Sequence, residues 1–109
     1  MTVGDVVLVS FPFVEQPAFK KRPAVVLLKA GERVVCAAVT SRNGKSPWEV
    51  ELKHWKDAGL TKPSKVKVDT LSTFSVFNGA RRCGRLHPSD LRRVEAAYMK
   101  ILELGGAAG

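Results

Sequence analysis

The chain has 109 residues, of which 45% are hydrophobic and 26% are charged. This length and composition predict a single domain over residues 1–109 with a hydrophobic core, and they exclude an intrinsically disordered chain. Lys and Arg outnumber Asp and Glu by 18 to 10, a net charge of +8, so we expect binding of a polyanion: nucleic acid, an anionic membrane or an acidic protein. No apolar run is long enough to span a bilayer, and the N-terminus, which contains Asp5, is unlike a signal peptide, so we expect a cytoplasmic location.

Three short apolar segments at the start of the chain predict β-strands. They are Asp5–Phe11, Pro23–Leu28 and Arg33–Thr40. Their length and their content of β-branched residues favour strands over a helix. Ala30-Gly31-Glu32 is typical of a tight turn, so the second and third segments are expected to pair as a hairpin.

The segment Pro12–Arg22 predicts a loop. It contains two prolines and ends in three consecutive cations. A loop of about ten residues is longer than most hairpin connections, and such loops often carry function. A second polar turn is expected over Ser41–Pro47.

The middle of the chain predicts two half-exposed strands separated by a helical turn. Glu49–Lys53 and Lys65–Asp69 alternate between polar and apolar residues, as strands with one exposed face do. Between them, His54–Leu60 is expected to form a helical turn that ends at Gly59. Leu71–Phe77 is less regular.

The C-terminal region predicts a last strand followed by an amphipathic helix. Arg81–Leu86 is expected to be a strand with a bend at Gly84. Hydrophobic residues then recur at steps of three and four from Leu91 to Leu102, which is the helical period. Pro88 and Asp90 suit the first helical turn, and the glycines at 105 and 106 are expected to end the helix.

The cysteines and histidines predict no metal site. Cys36 and Cys83 are far apart and lack Cys-x-x-Cys spacing, so we expect two reduced, partly buried thiols. His54 and His87 show no ligand spacing that would complete a zinc site. We therefore expect neither a metal nor another cofactor.

Five short blocks resemble the MazF/PemK toxins in type and order. They are Gly4–Val7, Lys21–Val26, Val39–Ser41, Trp55–Ser64 and Gly84–Leu86. The resemblance implies a mainly β fold: an SH3-like barrel with a small extra sheet and a C-terminal helix, working as a homodimer. It also implies the toxin of a type II toxin–antitoxin system, inhibited by a cognate acidic antitoxin. Its activity would be metal-independent cleavage of single-stranded RNA at short motifs, leaving 2′,3′-cyclic phosphate and 5′-hydroxyl ends.

The same resemblance assigns catalytic roles to Arg22, Thr40, Asp69 and Lys67. A guanidinium can grip two phosphate oxygens, a hydroxyl can donate to a phosphate oxygen, and a carboxylate can accept the proton of the attacking 2′-hydroxyl. Lys67 stands where the PemK-like branch has Arg, and lysine lacks the planar fork for bidentate binding. The general acid stays open between Arg22, Lys67 and water, because the loop before Arg22 lacks the histidine of some family members.

Without the resemblance, these residues have structural explanations. Arg22 would be a solvated loop cation, Thr40 an ordinary strand residue, and Lys67 with Asp69 a surface ion pair. Further RNA contacts are expected from Phe19, on which an unpaired base can stack, from the hydroxyl of Ser41 and from basic side chains. The polar and basic set consists of Lys20, Lys21, Ser41, Arg42, Lys45, Arg81, Arg82 and Arg85.

Two other functions remain open from the sequence. SH3-like barrels also serve as non-catalytic nucleic-acid-binding modules, and a toxin of the same fold poisons DNA gyrase. A binding module needs no convergent guanidinium, hydroxyl and carboxylate, so the positions of Arg22, Thr40 and Asp69 distinguish these hypotheses.

Overall fold

The computed structural model describes residues 1–10, 21–42, 44, 46–76 and 80–108. Within them, the chain forms six strands and one helix: β1 (Asp5–Val9), β2 (Arg22–Ala30), β3 (Arg33–Thr40), β4 (Glu49–Glu51), β5 (Lys65–Ser75), β6 (Arg81–Arg85) and α1 (Pro88–Ala108). The strands make one antiparallel sheet in the order β4-β5-β3-β2-β1-β6. This is the mainly β architecture with a C-terminal helix that the sequence predicts.

The first three strands confirm the sequence prediction. β2 and β3 pair as a hairpin from Ala24 opposite Ala38 to Ala30 opposite Arg33. Gly31 turns the chain with a φ of 59°, a left-handed conformation that glycine adopts without steric cost. The predicted loop over residues 12–22 lies, up to residue 20, outside the described residues.

The longest strand differs from its prediction. β5 continues through the segment 71–77 as far as Ser75. Its register with β3 jumps: Ala38 faces Lys67, whereas the preceding Ala37 faces Leu71. Residues 68–70 thus form a bulge, which breaks the alternation that a regular strand would show.

The segment between β4 and β5 forms consecutive hydrogen-bonded turns that end at Gly59, as expected for the predicted helical turn, without a regular helix. The N–H of Ala58 donates to the carbonyl of Trp55, which is a turn-type bond between residues three apart. Gly59 reverses the chain with a φ of 81°. A Cβ at Gly59 would overlap the carbonyl oxygen of Cys83 in β6, so this turn packs directly on the opposite edge strand and the sheet must curl. β4 joins this one sheet, and the described residues contain no separate small sheet.

Two hydrophobic clusters occupy the two faces of the sheet. Along β2, Val25 belongs to the first cluster and Val26 to the second. The first cluster is the larger, and α1 covers it through the fully buried Val94. Cys36 lies in the second cluster.

The helix begins at the predicted Pro88 but runs past the glycines at 105 and 106 to Ala108. A glycine costs about 1 kcal/mol in a helix relative to alanine, which weakens a helix without ending it. Among the described residues, no helix combines the length and apolar character needed to cross a lipid bilayer.

Asp90 has a larger role than the predicted favourable interaction with the helix dipole. It is fully buried, and its carboxylate accepts hydrogen bonds from the backbone N–H groups of Lys53 (3.1 Å) and His54 (2.9 Å) and from the guanidinium of Arg93. Burial by itself would raise the pKa of Asp90, but these donors outweigh it, and the pKa is lowered. The first turn of α1 therefore holds the turn that follows β4.

Candidate functional site

Arg22 and Thr40 line one cavity of about 210 Å³. Arg22 begins β2 and Thr40 ends β3. Ala24 pairs with Ala38 in the antiparallel ladder, so two residues farther along the same ladder Arg22 lies across from Thr40. Both side chains lie on the face of the second cluster, because strand residues two apart share a face. The other lining residues are Pro23, Val39, Ser41, Leu60, Thr61, Lys62 and Ser64.

The guanidinium of Arg22 has a donor that no described residue uses. Its Nε is buried and has no hydrogen-bond partner among the described residues. Nearly all buried donors in proteins are paired, and each exception calls for an explanation. Because Nε itself is shielded from solvent, an anion in the cavity would bind the terminal nitrogens of the guanidinium, which can grip two phosphate oxygens at once.

Thr40 is oriented by its own turn. Its Oγ1 accepts the backbone N–H of Arg42 at 3.1 Å. This bond occupies a lone pair of the hydroxyl and leaves its hydrogen available for another acceptor. Arg42 orients Thr40 through its backbone N–H. The side chain of Arg42 is exposed.

Lys65 completes a row across three strands. It faces Thr40 directly in the pairing of β3 with β5, so Arg22, Thr40 and Lys65 lie on one line and one face of the sheet. The Nζ of Lys65 is 3.8 Å from Oε1 of Glu49. Lys65 is a site residue that the family motifs do not mark, although its alternation with Lys67 along β5 places both lysines on the same face.

Lys67 and Asp69 lie farther along β5. Lys67 faces Ala38 on one side and Glu49 on the other, one step beyond Lys65 on the same face. Asp69 is exposed, sits in the bulge and is not among the cavity-lining residues. In the part of the chain that the structure describes, Lys67 and Asp69 form no ion pair with each other. The structure thus brings Arg22 and Thr40 together, while Asp69 stays outside their cavity.

The basic residues of β6 are tied to a buried acid. Asp5 Oδ1 lies 3.1 Å from Nε of Arg82 and 3.2 Å from a terminal nitrogen of Arg85. Burial would raise the pKa of Asp5, but the backbone N–H of Thr2 and the two guanidinium groups lower it overall. Part of the charge of Arg82 and Arg85 is therefore compensated within the fold, whereas Arg81 is exposed without such a bond in the described residues.

Of the remaining residues expected to contact RNA, two are described by the structure and three are not. Ser41 lines the cavity, and Lys21 is exposed immediately before β2. Phe19, Lys20 and Lys45 lie outside the described residues.

The two cysteines differ in burial, whereas both were expected to be partly buried. Cys36 is fully buried and Cys83 is partly buried, and burial raises the pKa of Cys36 to about 11. His54 and His87 stack on each other with ring centroids 4.0 Å apart. Within the described residues, no group of three or more His, Cys, Asp or Glu side chains is arranged to hold a metal ion.

Comparison with known proteins identifies relatives over nearly the full chain. The family model for the PemK-like, MazF-like toxin of type II toxin–antitoxin systems matches residues 2–102. Among solved structures, one MazE-MazF structure from Deinococcus radiodurans is 23% identical, covers 94% of both chains and has a TM-score of 0.72. An endoribonuclease in complex with its cognate antitoxin from a mycobacterial species is 17% identical, covers 95% of this chain and 96% of that one, and has a TM-score of 0.74.

A third structure, the Mycobacterium tuberculosis toxin MazF-mt6, is 23% identical over 91% of this chain and 96% of its own, with a TM-score of 0.70. At these identities the structural likeness establishes the fold. A search of curated protein sequences finds no significant match.

Proposed function

Because the chain belongs to the family of PemK-like, MazF-like toxins of type II toxin–antitoxin systems, we propose that it is an endoribonuclease that cuts single-stranded RNA. The observation that carries this proposal is the cavity shared by Arg22 and Thr40, in which a buried guanidinium nitrogen has no protein partner among the described residues. A binding module held on RNA by surface cations would not need such a donor beside an oriented hydroxyl.

The proposed reaction uses the RNA itself as the nucleophile. The 2′-hydroxyl attacks the adjacent phosphorus, the bond to the 5′-oxygen breaks, and the products carry 2′,3′-cyclic phosphate and 5′-hydroxyl ends. The enzyme must stabilise the charge that builds on the phosphorane oxygens, accept one proton and donate another. These tasks require neither a metal ion nor a covalent enzyme intermediate.

Arg22 and Thr40 bind the phosphate in this mechanism. The guanidinium contacts the non-bridging oxygens and is the default donor of the proton to the leaving 5′-oxygen. The Thr40 hydroxyl, held by the N–H of Arg42, donates its hydrogen to a phosphate oxygen. Lys65, opposite Thr40, adds a positive charge on the same face.

We propose that Asp69 and Lys67 act at the 2′-hydroxyl that attacks the phosphorus. Asp69 would accept the proton, and Lys67 would supply charge where the RNA crosses β5. The attacking 2′-hydroxyl is next to the phosphorus bound at Arg22 and Thr40, and a general base must lie within hydrogen-bond reach of it. Because Asp69 does not line this cavity, it can accept the proton only in an arrangement that brings its carboxylate to the bound phosphate.

We propose two macromolecular partners besides RNA. An acidic antitoxin would suit the net charge of +8, and two of the structurally similar toxins above are described together with antitoxins. A second copy of the chain would make a homodimer that places two sites in one RNA groove. We propose that these partners meet the protein in the cytoplasm.

The test is cleavage of a long single-stranded RNA in EDTA, followed by analysis of the ends. We expect 2′,3′-cyclic phosphate and 5′-hydroxyl ends, and we expect Arg22→Ala to reduce the rate at least about 100-fold, as loss of a charged transition-state donor does. Arg33→Ala is the matched control, because Arg33 is exposed at the opposite end of the β2–β3 hairpin. Cleavage that needs added magnesium, or equal rates for the two variants, would refute the mechanism.

The purified protein and its expression in cells distinguish the other functions. RNA binding without cleavage would identify a non-catalytic module. Broken chromosomes without loss of messenger RNA on expression would indicate action on gyrase.

A further inference from the structure

A second cavity adjoins the Arg22–Thr40 cavity. Its volume is about 500 Å³, within the range of small-molecule binding sites. The two cavities share Ser41, Lys62 and Ser64, so a chain-like ligand in one can continue into the other. We call the second cavity the Trp55 groove; its remaining lining residues are Glu51, Leu52, Lys53, Trp55, Pro63 and Lys65.

The lining of the Trp55 groove combines an apolar wall with free positive charge. Trp55 and Leu52 supply the apolar surface. Lys53 and Lys62 take part in no ion pair with any other described residue, and Lys65 lies near the carboxylate of Glu49. A planar apolar side chain beside unpaired ammonium groups suits a nucleotide, whose base can pack on the indole while its phosphate binds lysine.

The wall of the groove is held in place by the fold. Asp90 fixes the backbone N–H groups of Lys53 and His54. Trp55 is partly buried against the first cluster, and the Nζ of Lys56 lies 5.4 Å from the centroid of its ring without lining the groove. A surface that is already ordered loses little entropy when it binds a ligand.

We infer that the Trp55 groove binds the nucleotide next to the scissile phosphate, with the base against Trp55 and the outer phosphate on Lys53. This inference rests on the proposed function and extends it by a defined nucleotide subsite. Glu51 is the one acid in the lining. An ionised carboxylate only accepts hydrogen bonds, so Glu51 favours base edges that present N–H donors.

The test measures binding by tryptophan fluorescence. Trp48 and Trp55 are the two tryptophans, and Trp48 does not line the groove, so Trp48→Phe leaves Trp55 as the single fluorophore. The probe is a mixed-sequence, single-stranded 2′-fluoro RNA, which lacks the nucleophilic 2′-hydroxyl and stays intact. We expect saturable quenching of Trp55 that weakens with salt.

Two pairs of variants make the test specific. The Trp55 variants lack the reporter tryptophan, so their binding is measured by the fluorescence anisotropy of an end-labelled form of the same RNA. Trp55→Leu should weaken binding at least about fivefold and Trp55→Phe less than about twofold, because an aromatic ring retains most of the packing with the base. Lys53→Gln should reduce the slope of log affinity against log salt by about 0.7, the value for one phosphate contact on a single strand. Lys29→Gln, an exposed lysine at the far end of β2, should leave the slope unchanged.

Three results would overturn the inference: no quenching at saturating RNA, equal binding by Trp55→Leu and Trp55→Phe, or equal slopes for the two lysine variants. Urea unfolding of Trp55→Leu verifies that the variant is folded. Lys53 and Lys29 are both exposed, so the lysine variants test the groove without changing a core side chain. If the wild type cuts ordinary RNA but these variants bind normally, only the subsite fails. If RNA quenches Trp55 and is never cut, the groove binds a nucleotide, the proposed function fails, and the groove is not a subsite of a cleavage reaction.

Discussion

Replacing Asp90 with alanine should destabilise the protein far more than replacing a nearby exposed aspartate. Removal of the carboxylate leaves the N–H groups of Lys53 and His54 and the guanidinium of Arg93 without their acceptor. A buried donor without a partner costs about 1–3 kcal/mol. Because Lys53 is exposed and His54 only partly buried, water can reach these amides, and we expect a total loss of about 2–4 kcal/mol.

The matched control is Asp57→Ala. Its Oδ2 lies 3.8 Å from Nδ1 of the same His54, but the Asp57 side chain is 70% exposed. Exposed ion pairs contribute little, so this variant should stay within about 0.5 kcal/mol of wild type. Urea unfolding measures both: with a slope of about 1–3 kcal/mol per molar, the midpoint of Asp90→Ala should fall by about 0.7–4 M.

The pH dependence provides a second measurement on the same variants. The pKa of Asp90 is lower in the folded protein than in the unfolded chain, where it is about 3.9. The contribution of the charged carboxylate is therefore fully present above the unfolded pKa and is lost as the pH falls through the folded pKa. The difference in unfolding free energy between wild type and Asp90→Ala should be constant from about pH 7 to 5 and should shrink below about pH 4. Equal stability of the two aspartate variants, or a difference that stays constant to pH 3, would refute this account.

Two other predictions concern a turn and the thiols. Gly59→Ala should cost at least about 2 kcal/mol more than Gly31→Ala in urea unfolding, because both have positive φ but only a Cβ at Gly59 would overlap the carbonyl of Cys83; equal costs would contradict the close approach. In native protein at pH 8, a thiol reagent should modify Cys83 well before Cys36, whose thiol is fully buried and has a pKa of about 11. Modification of both thiols at one rate, followed in Cys83→Ser and wild type, would count against the burial of Cys36.

The strands that were predicted best depend on local signals. β3 has the bounds expected from its run of β-branched residues, and the hairpin with β2 follows from the glycine at the turn. β5 was predicted only in part, because its bulge exists through pairing with β3. Residues 68–70 have no partner there, and no pattern along β5 alone marks the point where the register jumps.

The candidate site shows the same division. Family-like motifs marked Arg22 and Thr40, but their proximity follows from the register of β2 and β3. Lys65 was missed because its position opposite Thr40 depends on a second register, between strands separated by the whole turn segment. The clamp by Asp90 was missed for a similar reason: its partners lie 36 and 37 residues away in sequence.

The sequence by itself determined the mainly β class, the C-terminal helix, the basic charge and the family resemblance. These four properties follow from the order of neighbouring residues or from the total composition, and both are the same in the folded and the unfolded chain. Only the tertiary structure decided which donor lacks a partner among the described residues, which lysine faces the threonine and where an apolar wall meets cations that form no ion pair with another described residue. These features arise from strand register, burial and the curl of the sheet, which bring together groups that are far apart along the chain.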